Sequence, residues 1–184
     1  MSIATRLLTY DDLCQTPDDF NRYEIIDGEL IVTPASVPKH QRMSSRLQRW
    51  FGNFVTECEL GEIISAPCDV KLAEHDIVQP DLLVIARERL HIIGDKYIDG
   101  APDLVVEILS PTTRRSDRTR KAELYAKAGV REYWLADPDA RALTVFRLVL
   151  VDSRYEPIEP EGRVVRSTVL PGFAVDADAL FAGL

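Results

Sequence analysis

Cysteine is scarce in this chain. Cys14, Cys58 and Cys68 are the three present, an odd number with no CxxC pair and no Cys/His cluster. That argues against a disulfide framework and a structural zinc site, and a reducing, cytoplasmic setting is the expectation. No run of about 18 apolar residues exists, which argues against a membrane span. The opening MSIATRLLTYDDL lacks the apolar stretch of a secretory leader. Positive charge is also in short supply: 22 Lys and Arg face 30 Asp and Glu, for a net charge of −8. Such a balance does not suit a protein that coats nucleic acid non-specifically. Repeats, low-complexity tracts and long linkers are missing too, so residues 1–184 are expected to form one domain.

The basic residues that are present cluster. Lys39 to Arg49 reads KHQRMSSRLQR and Arg114 to Lys127 reads RRSDRTRKAELYAK. An acidic chain with two basic segments can still meet a polyanion on one face. The plainer reading is a solvated helix face, supported by the ordinary i,i+4 pair Glu123–Lys127.

Periodicity outlines the elements. Residues 1–22 form an N-terminal arm or a short helix, with Thr16, Pro17 and Asp19 resembling a capping box. YEIIDGELIV (23–32) predicts a hairpin turning at Asp27-Gly28. Met43, Leu47, Trp50, Phe51 and Phe54 predict an amphipathic helix over 40–55. Residues 62–72 predict an edge or bent strand around Pro67. Residues 78–86 and 104–109 read as central strands covered on both faces. A helix over 114–128 ends at Gly129, strands follow at 130–136 and 142–151, and a short apolar segment closes the chain. The class is α/β, a mixed central β-sheet flanked by α-helices. Tyr133 and Trp134 fit a core better than a base-stacking platform.

Two of these strands carry an acid that an apolar strand does not tolerate unpaired: Asp81 in VQPDLLVI and Glu107 in APDLVVEILSP. Alternation places Glu107 on one face with Val105 and Leu109, toward a covering helix. Two carboxylates on neighbouring strands can hold Mg²⁺, or Mn²⁺ in its place, which keeps waters for a phosphate substrate. On the helix that follows, Asp117, Lys121, Leu124, Tyr125 and Ala128 share one side. Lys121 therefore points inward and needs an anionic partner, for which Glu107 is suited. The bland alternative is a structural ion pair, with Asp81 merely capping a turn.

At these residues the chain resembles the PD-(D/E)XK restriction-endonuclease-like superfamily. The fuller pattern, YEIIDGEL, then His40-Gln41, then QPD, then PDLVVEILSPTTRRSDRTRKAELYAKAGVREYWLADP, resembles the Uma-type restriction endonucleases of bacteria over about residues 20–140. The resemblance implies a restriction-endonuclease-like core and a metal-dependent endonuclease. Asp81 and Glu107 would bind the metal, and Lys121 would support the attacking water. Glu24 and His40 match further positions the family tends to keep. Leu109 stands where the superfamily usually has its lysine, and in this family that lysine has moved to the next helix, at Lys121. Pro102-Asp103 is a second PD pair, disfavoured by motif order. The resemblance further implies DNA as partner, received by Arg114, Arg115, Arg42 and Arg46, and a homodimer. Two alternatives are a non-catalytic nucleic-acid-binding protein on the same fold and a small-molecule metal-dependent phosphoesterase.

Overall fold

Asp27 and Gly28 both take positive φ, 52° and 76°, in the computed structural model, which describes residues 6–184. Two left-handed residues in succession make the tight turn that suits the right-handed twist of paired strands. β1 (Arg22–Ile26) and β2 (Glu29–Thr33) accordingly pair antiparallel around it. The following helix, α2 (Pro38–Glu57), starts with Pro38 in its first turn, where the missing N–H costs nothing. It buries His40, Met43, Leu47, Phe51 and Val55, one residue per turn.

Two expected strands are each divided between sheets. The 62–72 segment breaks at Pro67 into β3 (Gly61–Ser65) and β4 (Val70–Ala73). The 78–86 segment becomes β5 (Asp76–Val78) and β6 (Leu82–Ala86), which lie in different sheets. The physical reason is proline: Pro80 has no N–H to give to a ladder, so the chain leaves one sheet before it and enters the other after it. A two-residue strand, β7 (Ile98–Asp99), completes a five-stranded sheet of order β2-β1-β5-β4-β7. Near the N-terminus the helical turn falls at α1 (Tyr10–Leu13), ahead of Thr16. There the Asp12 carboxylate accepts the Thr9 backbone N–H at 2.9 Å, and Pro17 follows the helix instead of starting it.

The central sheet has six strands. β8 (Leu104–Ile108) pairs antiparallel with β6 and parallel with β9 (Glu132–Asp137). β10 (Ala142–Val149) and β11 (Arg154–Pro157) extend one side, and β3 forms the opposite edge. A small pair, β12 (Val164–Arg166) and β13 (Ala174–Asp176), leads into the C-terminal helix Ala177–Phe181. The β8–β9 crossover is a helix, α3 (114–128). It opens with an α-turn at Arg114–Ser116, widens to a π-turn over Asp117–Lys121 and returns to α-helix over Ala122–Ala128. Gly129 ends it at φ 90°.

Alternation along β6, β8 and β9 divides the core into two layers. Leu82, Val84, Leu104, Val106, Ile108 and Trp134 pack against α2 and the C-terminal helix. Leu83, Ile85, Val105, Leu109, Tyr133 and Leu135 pack against Leu124 and Tyr125 of α3 and against the five-stranded sheet. Trp134 and Tyr133 are fully buried core residues. At roughly 25 cal/mol per Å² of apolar surface, these two layers supply most of what holds the sheet. The second layer is the one that Glu107 enters.

Candidate functional site

The pairing of β6 with β8 sets Leu82 opposite Val106 and Leu83 opposite Val105. Carried one residue further, that register puts Asp81 opposite Glu107. Directly opposed residues have Cβ atoms about 4.5–5.5 Å apart, so the two carboxylates become neighbours although they are far apart in sequence. The hydrogen bonds agree: the Ile108 backbone N–H donates to Asp81 Oδ2 at 2.7 Å. Asp81 also accepts from Arg22 at 2.7 Å on Oδ1 and contacts His40 Nε2 at 3.0 Å through Oδ2. Burial pushes the Asp81 carboxyl up, but His40 and the Arg22 guanidinium more than offset this and hold it at about 2. It is therefore ionised at neutral pH, and His40 Nε2 donates to it.

Glu107 is treated differently. Its Oε1 accepts from Lys121 Nζ at 3.1 Å and from the Tyr125 hydroxyl at 2.8 Å. Lys121 is also 2.9 Å from Glu24 Oε1 and 3.8 Å from Asp117 Oδ1, so one buried ammonium serves three buried acids. Burial drives the Glu107 carboxyl up to about 8, against the pull of Lys121 and helped by Asp117, Asp81 and Glu24. Asp117 is raised to about 6, again chiefly by burial. Burial alone would depress Lys121, but Glu107, Glu24 and Asp117 lift it above its ordinary value, and it stays an ammonium. Four carboxylates thus share two permanent cations, Arg22 and Lys121, and the shortage of positive charge falls on Glu107 and Asp117.

Arg22, His40, Asp81, Glu107, Asp117 and Lys121 line one cavity of about 240 Å³. Thr33 to Val37 covers one side, and Ser110 to Thr113, the turn before α3, forms another. Glu24 stands behind Lys121: it accepts the Gln79 backbone N–H at 2.8 Å and is not in the cavity wall. Arg120 ties the first hairpin to α3 through the Ile26 carbonyl at 2.7 Å and Glu29 at 2.9 Å, which sets the distance between Glu24 and Lys121.

The donor set can be tested against a divalent ion. Among the described residues, no three His, Cys, Asp or Glu side chains form a ready-made metal cage. A carboxylate offers about four lone-pair positions. Asp81 has three occupied, whereas both contacts on Glu107 fall on Oε1. Asp117 Oδ1 is buried without a hydrogen-bond partner. Oxygen donors in a site short of positive charge, with room for water, suit a hard cation such as Mg²⁺ that is held by a few carboxylates and completed by water and substrate. The residues fit that ion and do not fit a closed zinc-type centre.

The remaining sequence candidates lie elsewhere. Arg46 donates to the carbonyl of Ala182 at 2.8 Å and also caps Leu180, while Arg42 donates to Gly183 at 2.6 Å, so both hold the C-terminal helix. Arg114 pairs with buried Asp137 at 2.8 Å and with Asp139. Arg115 is exposed beside the cavity-lining turn. Asp103 lies away from the cavity, neutralised by Arg89 and Arg131 and accepting the Ala86 N–H. Arg22 and Asp117 join the cavity without having been singled out as site residues. The signals were there: Arg22 shares strand parity with Glu24, and Asp117 lies one turn before Lys121.

Comparison with known proteins follows the same geometry. No match was found among curated proteins. Among solved structures, the chain is similar to a crystal structure described as a putative nuclease belonging to DUF820 from Anabaena variabilis. The two share 23% identity and a TM-score of 0.75, over 95% of this chain and 97% of that one. At that identity the likeness shows the fold. The model of the Uma2 family, described as "Putative restriction endonuclease", matches residues 8–178. That span takes in both carboxylate strands, the covering turn and the lysine helix, and this chain is a member of the Uma2 family.

Proposed function

We propose that this protein is a divalent-cation-dependent endonuclease that hydrolyses phosphodiester bonds, with DNA as substrate. The observation that carries the reading is the 3.1 Å contact of Lys121 with Glu107. Leu109, two residues beyond the glutamate, is buried in the core, and the ammonium arrives at the same carboxylate from α3 instead. A bound Mg²⁺ or Mn²⁺ would polarise the phosphate and acidify a water. Lys121, which stays charged, is placed to donate hydrogen bonds to that water or to a non-bridging phosphate oxygen, where negative charge grows in the transition state. It cannot act as the base. Arg22 lines the same wall and offers a guanidinium to the phosphate, and the Ser110, Thr112 and Thr113 hydroxyls edge the entrance. Arg115, exposed beside that edge, is suited to the neighbouring backbone. Cutting both strands would call for two copies of the chain.

The test is cleavage of supercoiled and linear DNA in Mg²⁺ and in Mn²⁺, comparing the wild type with Asp81→Ala, Glu107→Ala and Lys121→Ala. Nicking or linearisation by the wild type and its loss in all three variants is expected. No cleavage by the wild type, or cleavage by the variants at its rate, refutes the reading. The cavity's small volume favours one competitor, a phosphoesterase of small molecules. Hydrolysis of bis(4-nitrophenyl) phosphate with DNA left intact would select it.

A further inference from the structure

The site contains an acid that the two-carboxylate scheme does not use. Asp117 is 1% exposed, lines the cavity and has Oδ1 without a hydrogen-bond partner. The nearest cation, Lys121 Nζ, is 3.8 Å away, beyond hydrogen-bonding range, and is itself committed to Glu24 and Glu107. A carboxylate oxygen buried without a donor is unfavourable and calls for a ligand. It is also aimed by a particular piece of backbone, the π-turn Asp117–Lys121. Such wide turns occur frequently at functional sites.

Counting the open positions on each acid points the same way. Asp81 is nearly saturated by Arg22, His40 and the Ile108 N–H. Glu107 has its Oε1 occupied twice, and Asp117 Oδ1 has no hydrogen-bond donor, only the Lys121 ammonium at 3.8 Å. The oxygens best able to receive a hard cation are therefore those of Glu107 and Asp117. Resting on the reading of the cavity as a cation site, we propose that Asp117 is a further metal-binding carboxylate, and that the divalent ion is anchored chiefly between Asp117 and Glu107, with Asp81 as the lesser ligand. Asp81, held by Arg22 and His40, then serves mainly as the fixed wall against which Glu107 and the substrate are placed.

The experiment is calorimetric titration of the full chain with Mn²⁺ and with Ca²⁺, accompanied by thermal unfolding without metal, for the wild type, Asp117→Asn and Asp81→Asn. Asp117→Asn keeps the shape and removes the charge. The expected result is at least a tenfold loss of Mn²⁺ affinity in Asp117→Asn, a smaller loss in Asp81→Asn, and a metal-free unfolding temperature for Asp117→Asn equal to the wild type's or above it. If Asp117→Asn fails to fold, Asp117→Ser is measured in its place. Wild-type affinity in the Asp117 variant overturns this inference alone and leaves the proposed function standing. A lowered metal-free unfolding temperature together with weaker binding marks a structural carboxylate and overturns it too. Absence of Mn²⁺ and Ca²⁺ binding by the wild type overturns both.

Discussion

Lys121→Met removes the ammonium from the buried cluster while keeping a long apolar side chain in its place. Three carboxylates, Glu24, Glu107 and Asp117, lie within 2.9–3.8 Å of that ammonium. Breaking a buried ion pair by deleting one partner costs about 3–5 kcal/mol, because the other charge is left uncompensated. For a chain of this size each kcal/mol moves the unfolding temperature by about 2–4 °C, so a drop of roughly 6–20 °C is expected. The cost depends on ionisation. Glu107 and Asp117 are raised in the folded chain to about 8 and about 6, and without Lys121 they rise further. At about pH 5 both hold protons and need no counter-ion, so the penalty shrinks to what Glu24 requires. It grows as the pH rises, with Asp117 contributing from about pH 6 and Glu107 from about pH 8. The assay is unfolding followed by circular dichroism at several values between pH 5 and 9, with metal chelated. A deficit that is the same at both ends of that range, or no deficit at all, refutes the assignment of Lys121 as the cluster's counter-ion.

Other consequences follow from the same cluster and its surroundings. The metal-free wild type binds more protons folded than unfolded between about pH 4 and 8, because Glu107 and Asp117 are raised, so its stability should fall as the pH rises through that window, as urea titrations would show. Asp81 acts in the opposite sense: held at about 2, it stabilises the fold above its ordinary range near 4, and that contribution should vanish as the pH drops toward 2. Arg46→Ala should free the C-terminal carbonyls it caps, costing about 1–3 kcal/mol and speeding amide exchange over residues 177–184, with DNA cleavage unchanged; a loss of DNA binding without faster exchange would return Arg46 to the nucleic-acid surface. Glu132→Ala should destabilise by about 3 kcal/mol or more, since that buried carboxylate accepts from the Trp134 indole, Ser167 and Thr168, while Mn²⁺ affinity stays as in the wild type.

The parts of the site that sequence makes legible are those fixed by a period. Alternation placed Glu107 toward the helix layer, and the 3.6-residue spacing turned Lys121 inward; the structure has both orientations. Features that depend on partners distant in the chain were harder to see. The 78–86 run looks like one strand because each half is apolar, and only the sheet partners show that Pro80 separates two sheets. Arg42 and Arg46 sit on the polar side of an amphipathic helix and look free until the chain's last residues fold onto them. Glu132 opens an otherwise largely apolar strand without any local hint that Ser167 and Thr168 will satisfy it. The π-turn offsets the residues before it from those after it by about a quarter-turn, but only Arg114–Ser116 precede it in the helix, too few to show a change of period.

That wide turn works like one extra residue threaded into an otherwise ordinary helix. Each residue of an α-helix turns the chain by about 100°. Forcing all the residues of α3 into regular spacing would leave Leu124 and Tyr125 seated in the core, while the stretch from Arg114 to Asp117 swings about a quarter-turn around the axis. The same helix would be better formed and its cavity end misaligned. In this protein a less regular backbone is what lets one rod keep two appointments: packing at one end and chemistry at the other.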